Sequence, residues 1–252
     1  MRALVTGGRG GIGRAIVSTM VEQGYDVVTA DVTPVDGSES GVARVRHLEV
    51  DLSSESGVRS AVQDAADSDG LHALVNCLGI SPKHEGRAPE FPSISLAEWD
   101  EVFRVNVGAC FLTLREAWPV LVAHSNASVV NVVSTVAKVG ASGPSGTAFG
   151  LLHPAGVHYC ASKAALASLT VSASRALAGR GIRCNGVAPG YINSGMRNAT
   201  DPEVEAGIVR QIPLGRAGSS QEVAEVVGFL LSPAARYLTG EIIDVDGGWC
   251  PD

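Results

Sequence analysis

The sequence predicts an α/β fold in which a mostly parallel sheet is covered by helices on both faces. Short apolar runs alternate with longer segments of helical periodicity almost to the end of the chain. The runs are apolar at successive positions, as strands that are buried on both faces should be. Because strands that alternate with helices pair through right-handed crossovers, we expect most of them to run parallel.

Seven short apolar runs are predicted as strands, and the first of them ends at Thr6-Gly7. The seven strands cover residues 3–5, 25–30, 44–50, 73–75, 128–133, 182–188 and 242–245. The sequence has no internal repeat, and no interdomain linker interrupts the succession of strands. We therefore expect a single domain over residues 1–252.

Five segments with helical periodicity lie between the strands. They cover residues 12–23, 55–66, 96–123, 159–178 and 221–231. Gly24 is a stop signal for the first helix, and Pro119 is expected to bend the third helix or to end its first part. A Gly/Pro-rich loop precedes the third helix, up to about Ser95, and the Ser219-Ser220 pair caps the last one.

The composition excludes several classes of protein. The 252 residues are 45% apolar and 18% charged, with a net charge of -7 and no basic block, so a nucleic-acid surface is not expected. The five cysteines form no C-x-x-C pair and the six histidines have no metal-ligand spacing, so we expect no metal. A strand begins at once, which leaves no room for a signal peptide, and no apolar run approaches the ~20 residues of a membrane span. We therefore expect a cytoplasmic protein.

A glycine-rich turn joins the first strand to the first helix. It reads Thr6-Gly7-Gly8-Arg9-Gly10-Gly11-Ile12-Gly13. Glycines here let a pyrophosphate approach the backbone, and the helix N-terminus favours negative charge. With a strand before it and a helix after it, the turn predicts dinucleotide binding by a Rossmann-type, doubly wound sheet, although a plain tight turn is the alternative. The residues expected at the cofactor are Gly7, Arg9, Gly11, Ile12 and Gly13.

Acidic residues after the second and third strands bear on the choice of dinucleotide. Asp31 stands 18 positions beyond Gly13, where a carboxylate can bind the adenosine ribose and would repel a 2′-phosphate. Arg9 could instead pair with such a phosphate. Because Asp31 is aimed at the ribose in this geometry, NAD(H) is favoured over NADP(H). Asp51 and Leu52 would flank the adenine, with a helix N-cap as the alternative role for Asp51.

A Tyr-x-x-x-Lys pair lies on the fourth predicted helix. Its spacing puts Tyr159 and Lys163 on one helix face. A free tyrosine has a pKa near ~10, and a neighbouring ammonium is expected to draw that pKa down. The phenol could then exchange a proton with a substrate hydroxyl. The pair alone is weak evidence, since Tyr and Lys meet at this spacing by chance in many helices.

Taken in order along the whole chain, the motifs resemble those of the short-chain dehydrogenase/reductase family. The glycine turn matches the family's Thr-Gly-x-x-x-Gly-Ile-Gly, and Asn76-Cys77-Leu78-Gly79 resembles its Asn-Asn-Ala-Gly. Pro189-Gly190-Tyr191-Ile192-Asn193-Ser194 resembles its Pro-Gly segment, and the ending over residues 238–248 also fits. The family's catalytic residues correspond, in chain order, to Asn106, Ser134, Tyr159 and Lys163.

The resemblance implies catalytic roles for these four residues. Ser134 would hold the substrate oxygen and Tyr159 would exchange its proton. Lys163 would bind the nicotinamide ribose and tune Tyr159, and Asn106 would support a water that relays protons. The implied reaction is hydride transfer between NAD(H) and the alcohol or ketone carbon of a small organic substrate.

The resemblance also implies a cofactor cleft and an assembly. The remaining residues expected along that cleft are Asn76, Gly79, Pro189, Gly190, Ile192 and Ser194. Most members of the family are homotetramers, so a homotetramer is expected, with a dimer as the alternative.

Two departures from the family pattern leave questions open. Cys77 and Leu78 replace Asn and Ala. Ser134 and Tyr159 are 25 positions apart, about twice the family's usual gap, so an insertion is expected at about 140–156. Ser142 and Ser145 are therefore rivals for the serine role, although Ser134 is preferred because it stands at the strand end.

The substrate is expected beyond the carboxyl ends of the strands, where the loops cover residues 80–95, 137–158 and 191–212. Basic residues of these loops could hold an anionic group or could be solvated surface charges; they are Lys83, His84, Arg87, Arg197 and Arg210.

Two other functions stay open. One is an NADPH-dependent reductase of 3-oxoacyl thioesters, which Asp31 disfavours, and the other is a non-catalytic dinucleotide sensor, which the complete catalytic set disfavours.

Overall fold

The computed structural model of the chain describes residues 1–34, 44–66, 70–123, 126–140, 155–194 and 202–250. The strands are β1 Arg2–Thr6, β2 Asp26–Asp31, β3 Val45–Glu49, β4 Ala73–Asn76, β5 Ser128–Val132, β6 Arg183–Pro189, β7 Ile192–Asn193, β8 Gly218–Ser219 and β9 Ile242–Val245. The helices are α1 Gly11–Glu22, α2 Glu55–Ala65, α3 Leu96–Phe103, α4 Ala109–Leu121, α5 Val136–Val139, α6 Val157–Ala178, α7 Pro202–Val209 and α8 Ser220–Leu231.

Within the described residues, one parallel sheet of seven strands has the order β3-β2-β1-β4-β5-β6-β9. The strand order reverses at the β1–β4 pair, where Thr6 is the partner of Asn76. Doubly wound sheets bind ligands beside such a reversal, outside the carboxyl ends of the strands. The predicted fold class, with its seven parallel strands, is confirmed. β7 and β8 pair separately, with Ile192 opposite Gly218.

Helices cover both faces of the sheet through separate apolar clusters. On one face, α2, α4 and α6 contribute the buried side chains of Val58, Leu114 and Leu166. On the other face, α1 and α8 contribute Ile16 and Val227. Burying each such side chain stabilises the fold by about 1.5–3 kcal/mol. The double covering explains why the strands are apolar at successive positions.

The third predicted helix, over residues 96–123, is interrupted in a way that the sequence did not indicate. α3 ends at Phe103, a π-helical turn covers Arg104–Gly108, and α4 continues from there. The prediction that Pro119 would end the first part of this helix is wrong, because Pro119 lies inside α4, close to its end, whereas the alternative of a bend there stays a prediction. The change in helical form occurs instead around Asn106, and π turns are frequent at functional sites.

Several short elements were not predicted, namely α5, α7 and the β7–β8 pair. Each is too short to show a helical or strand period in the sequence. Residues 141–154, which hold most of the expected insertion with Ser142 and Ser145, lie outside the described residues. Residues 195–201 of the substrate loop, with Arg197, also lie outside them. Of the helices that the structure describes, none is long and apolar enough to cross a membrane.

Candidate active site

A cleft opens at the carboxyl ends of β4, β5 and β6, next to the reversal of strand order. The expected site residues that line it are Ile12, Gly79, Ser134, Tyr159, Lys163, Pro189, Gly190, Ile192 and Ser194. The structure therefore brings the predicted serine, tyrosine and lysine together from the segment after β5 and from α6. The glycine turn and Asp31 follow β1 and β2 on the adjoining side.

Tyr159 and Lys163 project from the same face of α6, one helical turn apart. Lys163 is only 4% exposed, and its Nζ donates to the carbonyl oxygen of Val132 at 2.9 Å. The same Nζ lies 5.7 Å from the centre of the Tyr159 ring. The last carbonyl group of β5 thus fixes the ammonium beside the phenol.

Burial dominates the proton affinities of this pair. Burial raises the pKa of Tyr159 to about 12, partly opposed by a side-chain hydrogen bond with Ser134. Burial also lowers the pKa of Lys163 to about 8. We expected the ammonium to draw the Tyr159 pKa down, and the structure corrects this expectation, because loss of hydration of the phenolate dominates and the Ser134 hydrogen bond, rather than Lys163, opposes it.

Ser134 stands two residues beyond β5 and faces Tyr159. A side-chain hydrogen bond with Ser134 lowers the Tyr159 pKa. The Ser134 hydroxyl also lies 3.5 Å from the Pro189 carbonyl oxygen and accepts from the Val136 N–H at 3.4 Å. The choice of Ser134 for the serine role stays a prediction, since its rivals Ser142 and Ser145 lie outside the described residues.

Asn106 occupies the π turn and is almost completely buried. Its side chain accepts from the Ile80 N–H at 2.7 Å and donates to the Ile80 carbonyl at 3.0 Å and to the Ser162 hydroxyl at 2.9 Å. Asn106 therefore ties the loop after β4 to α6. An added Cβ at Gly79 would come within 3.3 Å of Lys163 Nζ, so this glycine leaves room for the lysine.

The glycine turn packs tightly at the start of α1. Gly7 has a φ of +66°, which favours glycine. Cβ atoms at Gly11 and Gly13 would overlap the carbonyl groups of Ser194 and Gly7 respectively. The N-cap Gly10 gives α1 no side-chain cap, so the N–H groups of its first turn are available to an anion. This geometry fits a pyrophosphate.

Asp31 is held at the end of β2 by two backbone donors. The Arg9 N–H reaches Oδ2 at 3.2 Å, and the Thr33 N–H reaches Oδ1 at 3.0 Å. Asp31 and Arg9 are both buried, at 7% and 6% exposure. The carboxylate is therefore fixed beside the glycine turn, where the sequence predicts a ribose.

Asp51 and Leu52 have different surroundings. Asp51 is exposed, and its Oδ1 accepts from the N–H and hydroxyl of Ser53 at 2.9 and 2.6 Å, which lowers its pKa. The N-cap of α2 is Ser54, so the alternative role of Asp51 as a helix cap is wrong. The Leu52 side chain is buried in the core, which leaves its main chain for any contact with an adenine.

The Asn76 side chain points into a buried polar network. Its Nδ2 donates to Asn131 Oδ1 at 2.9 Å, and Asn131 Nδ2 donates to the Thr170 hydroxyl at 2.9 Å. Cys77, which departs from the family pattern, lines the cleft beside Gly79. Burial raises the pKa of the Cys77 thiol to about 12, so this thiol stays protonated.

Sequence reasoning missed an apolar wall on the substrate side of the cleft. It is formed by Val136, Ala155, Tyr191 and Trp249. The rings of Tyr191 and Trp249 meet edge to face, with centroids 6.3 Å apart. These four residues are far apart in the sequence, so no local pattern predicted that they would meet. Tyr191 alone could have been found, because it lies inside the Pro-Gly segment that resembles the family's.

The basic residues of the loops do not line the cleft where the structure describes them. Lys83, Arg87 and Arg210 are absent from its described lining, in which Lys163 is the basic residue. His84 binds Glu98, with 2.9 Å between Nε2 and Oε2. The hypothesis of a carboxylate-binding residue therefore gains no support at these positions. Within the described ranges, no group of three His, Cys, Asp or Glu side chains could hold a metal ion.

The chain is similar to known proteins over nearly its whole length. A family model described as enoyl-(acyl carrier protein) reductase matches residues 7–250. The 3-oxoacyl-[acyl-carrier-protein] reductase FabG of Staphylococcus aureus is 33% identical, and the match covers 98% of this chain and 96% of that protein. Nodulation protein G of a Rhizobium species is 35% identical, with the same coverage of each chain.

Solved structures extend the likeness to the fold. A 3-oxoacyl-[acyl-carrier protein] reductase from Brucella melitensis superposes with a TM-score of 0.87 at 31% identity, covering 99% of this chain and 91% of that one. A structure of such a reductase from the same organism with bound NAD gives a TM-score of 0.85, also at 31% identity and with the same coverage.

Proposed function

The chain belongs to the short-chain dehydrogenase/reductase family, and we propose that it transfers a hydride between NAD(H) and the alcohol or ketone carbon of a small organic substrate. The family makes it an NAD(P)-dependent oxidoreductase that acts on CH–OH groups. The observation that carries the finer proposal is the meeting of Ser134, Tyr159 and Lys163 in one cleft.

In this proposal the protein residues handle the proton, while bound NAD(H) supplies or accepts the hydride. Tyr159 donates its hydroxyl proton to the carbonyl oxygen in the reducing direction and recovers it in the oxidising direction. The Ser134 hydroxyl, which contacts Tyr159, hydrogen-bonds the same substrate oxygen. With a pKa of about 8, Lys163 is mostly charged at neutral pH and stabilises the phenolate that forms as the proton leaves.

The residues around the cleft fit a dinucleotide. The uncapped first turn of α1 and the fixed carboxylate of Asp31 suit a pyrophosphate and an adenosine ribose respectively. Lys163 and Asn106 would face the nicotinamide end, where Gly79 leaves them room. The remaining proposed contacts are those of Gly7, Ile12, Asn76, Pro189, Gly190, Ile192 and Ser194.

Asp31 supports NAD(H) over NADP(H). Its two oxygens are held by backbone donors in a buried position, so the carboxylate cannot easily turn away from a 2′-phosphate. The charge repulsion would be strong in such a place, because a buried pair is little screened by water.

A second candidate is an NADPH-dependent reductase of 3-oxoacyl thioesters. It is favoured by relatives that carry that name at about one-third identity. Arg9, buried beside Asp31, is the residue that could pair with a 2′-phosphate. Both candidates share the catalytic set and differ in the cofactor and in the group next to the reacting carbonyl.

One experiment separates the candidates. The purified protein is given a panel of secondary alcohols, ketones and acetoacetyl-CoA with NAD(H) or NADP(H), and turnover is followed at the nicotinamide absorbance. We expect turnover of alcohols or ketones with NAD(H). Turnover of acetoacetyl-CoA with NADPH alone would support the second candidate, and dinucleotide binding without any turnover would support a sensor instead.

The family precedent also leads us to propose a homotetramer, with a dimer as the alternative. Light scattering should give four times the chain mass of 25.9 kDa. A particle of 25.9 kDa would contradict both assemblies.

A further inference from the structure

Two histidines that the proposed reaction does not use converge on one carboxylate behind Tyr159. Glu98, in the first turn of α3, accepts hydrogen bonds on both of its oxygens. Nε2 of His158 lies 3.0 Å from Oε1, and Nε2 of His84 lies 2.9 Å from Oε2. The carboxylate thereby joins α3, the first turn of α6 and the loop after β4.

His158 directly precedes Tyr159 and is completely buried. Its ring packs on Gly156, where an added Cβ would come within 2.6 Å of Nδ1. Among the described residues Nδ1 has no hydrogen-bond partner, so the bond from Nε2 to Glu98 orients this ring. Loss of the carboxylate would leave a buried imidazole without a partner, next to the residue that carries the proton.

His84 fixes a second segment to the same carboxylate. Its main chain pairs with Arg87 in both directions at 3.0 Å, at the base of a tight turn. The Ser93 hydroxyl donates to the Glu90 carbonyl at 2.8 Å and lies 3.3 Å from Nδ1 of His84. His84 thereby links the Ser93 hydroxyl to Glu98, and its contact with the carboxylate is an ion pair when the imidazole is protonated.

The loop held by His84 borders the cleft. Ser81 lines the cleft, and Ile80 is bound by Asn106. Pro89 lies against Gly156, where an added Cβ would be 2.9 Å from the Pro89 Cγ. Movement of this loop would therefore reach both the substrate side of the cleft and the start of α6.

We propose that Glu98 is a positioning residue that orients Tyr159 through His158 and holds the substrate-side loop through His84. The proposal rests on the function proposed above. The charge state of Glu98 suits this role. Burial raises its pKa, but hydrogen bonds from His84 and His158 outweigh burial and hold that pKa below its usual range. The group is therefore an acceptor on both oxygens at neutral pH.

The contacts of Glu98 with His158 and with His84 predict different kinetic changes. A small misplacement of a catalytic group can lower turnover up to ~100-fold, so we expect His158→Leu to lower kcat about tenfold with little change in substrate KM. His84→Ala should raise substrate KM severalfold and keep most of kcat. Glu98→Ala should both lower kcat and raise substrate KM. Glu98→Gln retains one acceptor oxygen and should recover part of the loss.

Two further measurements separate positioning from general damage. Dinucleotide Kd should stay within about twofold of the wild type in every variant. Amide exchange over residues 155–165 and 80–95 should be faster in Glu98→Ala. Glu101→Ala is the matched control, since Glu101 is also on α3 and binds Arg104 at the surface. It should match the wild type in all these measurements.

The outcomes discriminate clearly. Unchanged kinetics and unchanged amide exchange in Glu98→Ala would overturn the proposal. It would also be overturned if all variants showed the same fall in kcat, the same rise in substrate KM and the same loss of dinucleotide affinity. Amide exchange does not depend on turnover. If the wild type turns over no alcohol or ketone while Glu98→Ala still loosens both segments, the proposed function fails and the tethering by Glu98 stands.

Discussion

Lys163 Nζ lies 5.7 Å from the centre of the Tyr159 ring and donates to the Val132 carbonyl at 2.9 Å. The ammonium is thus fixed by the end of β5, and the phenol is placed relative to it by one turn of α6. Because both groups are buried, each is pushed toward its neutral form. The pair can therefore hold a proton on the phenol until a substrate oxygen takes it.

Replacing the phenol tests the proton step. Tyr159→Phe should lower kcat by about 10²–10⁴-fold, because the substrate oxygen loses its proton donor. Dinucleotide Kd should change little. The measurement is steady-state turnover with the best substrate of the panel.

Tyr237→Phe is the control, since Tyr237 is fully exposed. It should leave turnover unchanged. Wild-type rates in Tyr159→Phe would show that another group handles the proton.

The lowered pKa of Lys163, about 8, predicts a pH dependence of stability. Above pH ~8 the folded lysine loses its proton, whereas the unfolded lysine keeps it up to ~10.4. The unfolded state then binds more protons, so the free energy of unfolding rises with pH. Relative to Lys163→Met, the wild type should gain about 2 kcal/mol by pH ~9.5.

Urea unfolding of both proteins between pH ~7 and ~9.5 measures this difference. Comparing the two proteins cancels the titration of the cysteines and other groups. Parallel stability curves would mean that burial does not lower the Lys163 pKa.

Removing the carboxylate beside the glycine turn tests the cofactor preference. Asp31→Ala should raise the kcat/KM ratio of NADPH to NADH about tenfold, since the repulsion of a 2′-phosphate disappears. The ratio is measured with one substrate and both cofactors.

Asp26→Ala is a suitable control, because Asp26 is at the other end of β2 and pairs with Arg44 at the surface. Its ratio should equal that of the wild type. An unchanged ratio in Asp31→Ala would remove the basis for preferring NAD(H).

The close approach of the Gly11 and Ser194 main chains gives a test of the cleft geometry by substitution. A Cβ at Gly11 would overlap the Ser194 carbonyl group, so Gly11→Ala should displace either the start of α1 or the segment after β6. Dinucleotide Kd should rise at least about tenfold, because the pyrophosphate site depends on close backbone approach. Calorimetry measures this Kd.

Gly179→Ala provides the comparison, since Gly179 has a φ of -63° and nothing within 4 Å of an added Cβ. It should bind like the wild type and be as stable or slightly more so. Equal affinities in both variants would contradict the close contact.

The main framework could be predicted because it depends on local patterns. Apolar runs and helical periods predicted the succession of strands and helices along the chain, and Ser134, Tyr159 and Lys163 lie on or just after elements that were recognised correctly. The interruption of the third helix at Asn106 could not be predicted, because that side chain is held by Ile80 and Ser162 from other segments. Pro119 gave a misleading local signal for the position of this interruption.

The sequence by itself determined the succession of strands and helices, the glycine turn and the candidate catalytic residues, since periodicity and short motifs encode each of them locally. Only the tertiary structure decided the partners of those groups. It packs Trp249 against Tyr191 and places Glu98 between two histidines. It also buries the Tyr159 hydroxyl, and this burial is the largest influence on the Tyr159 pKa. Such contacts join residues far apart in the chain, and hydration is lost only when the packed fold excludes water.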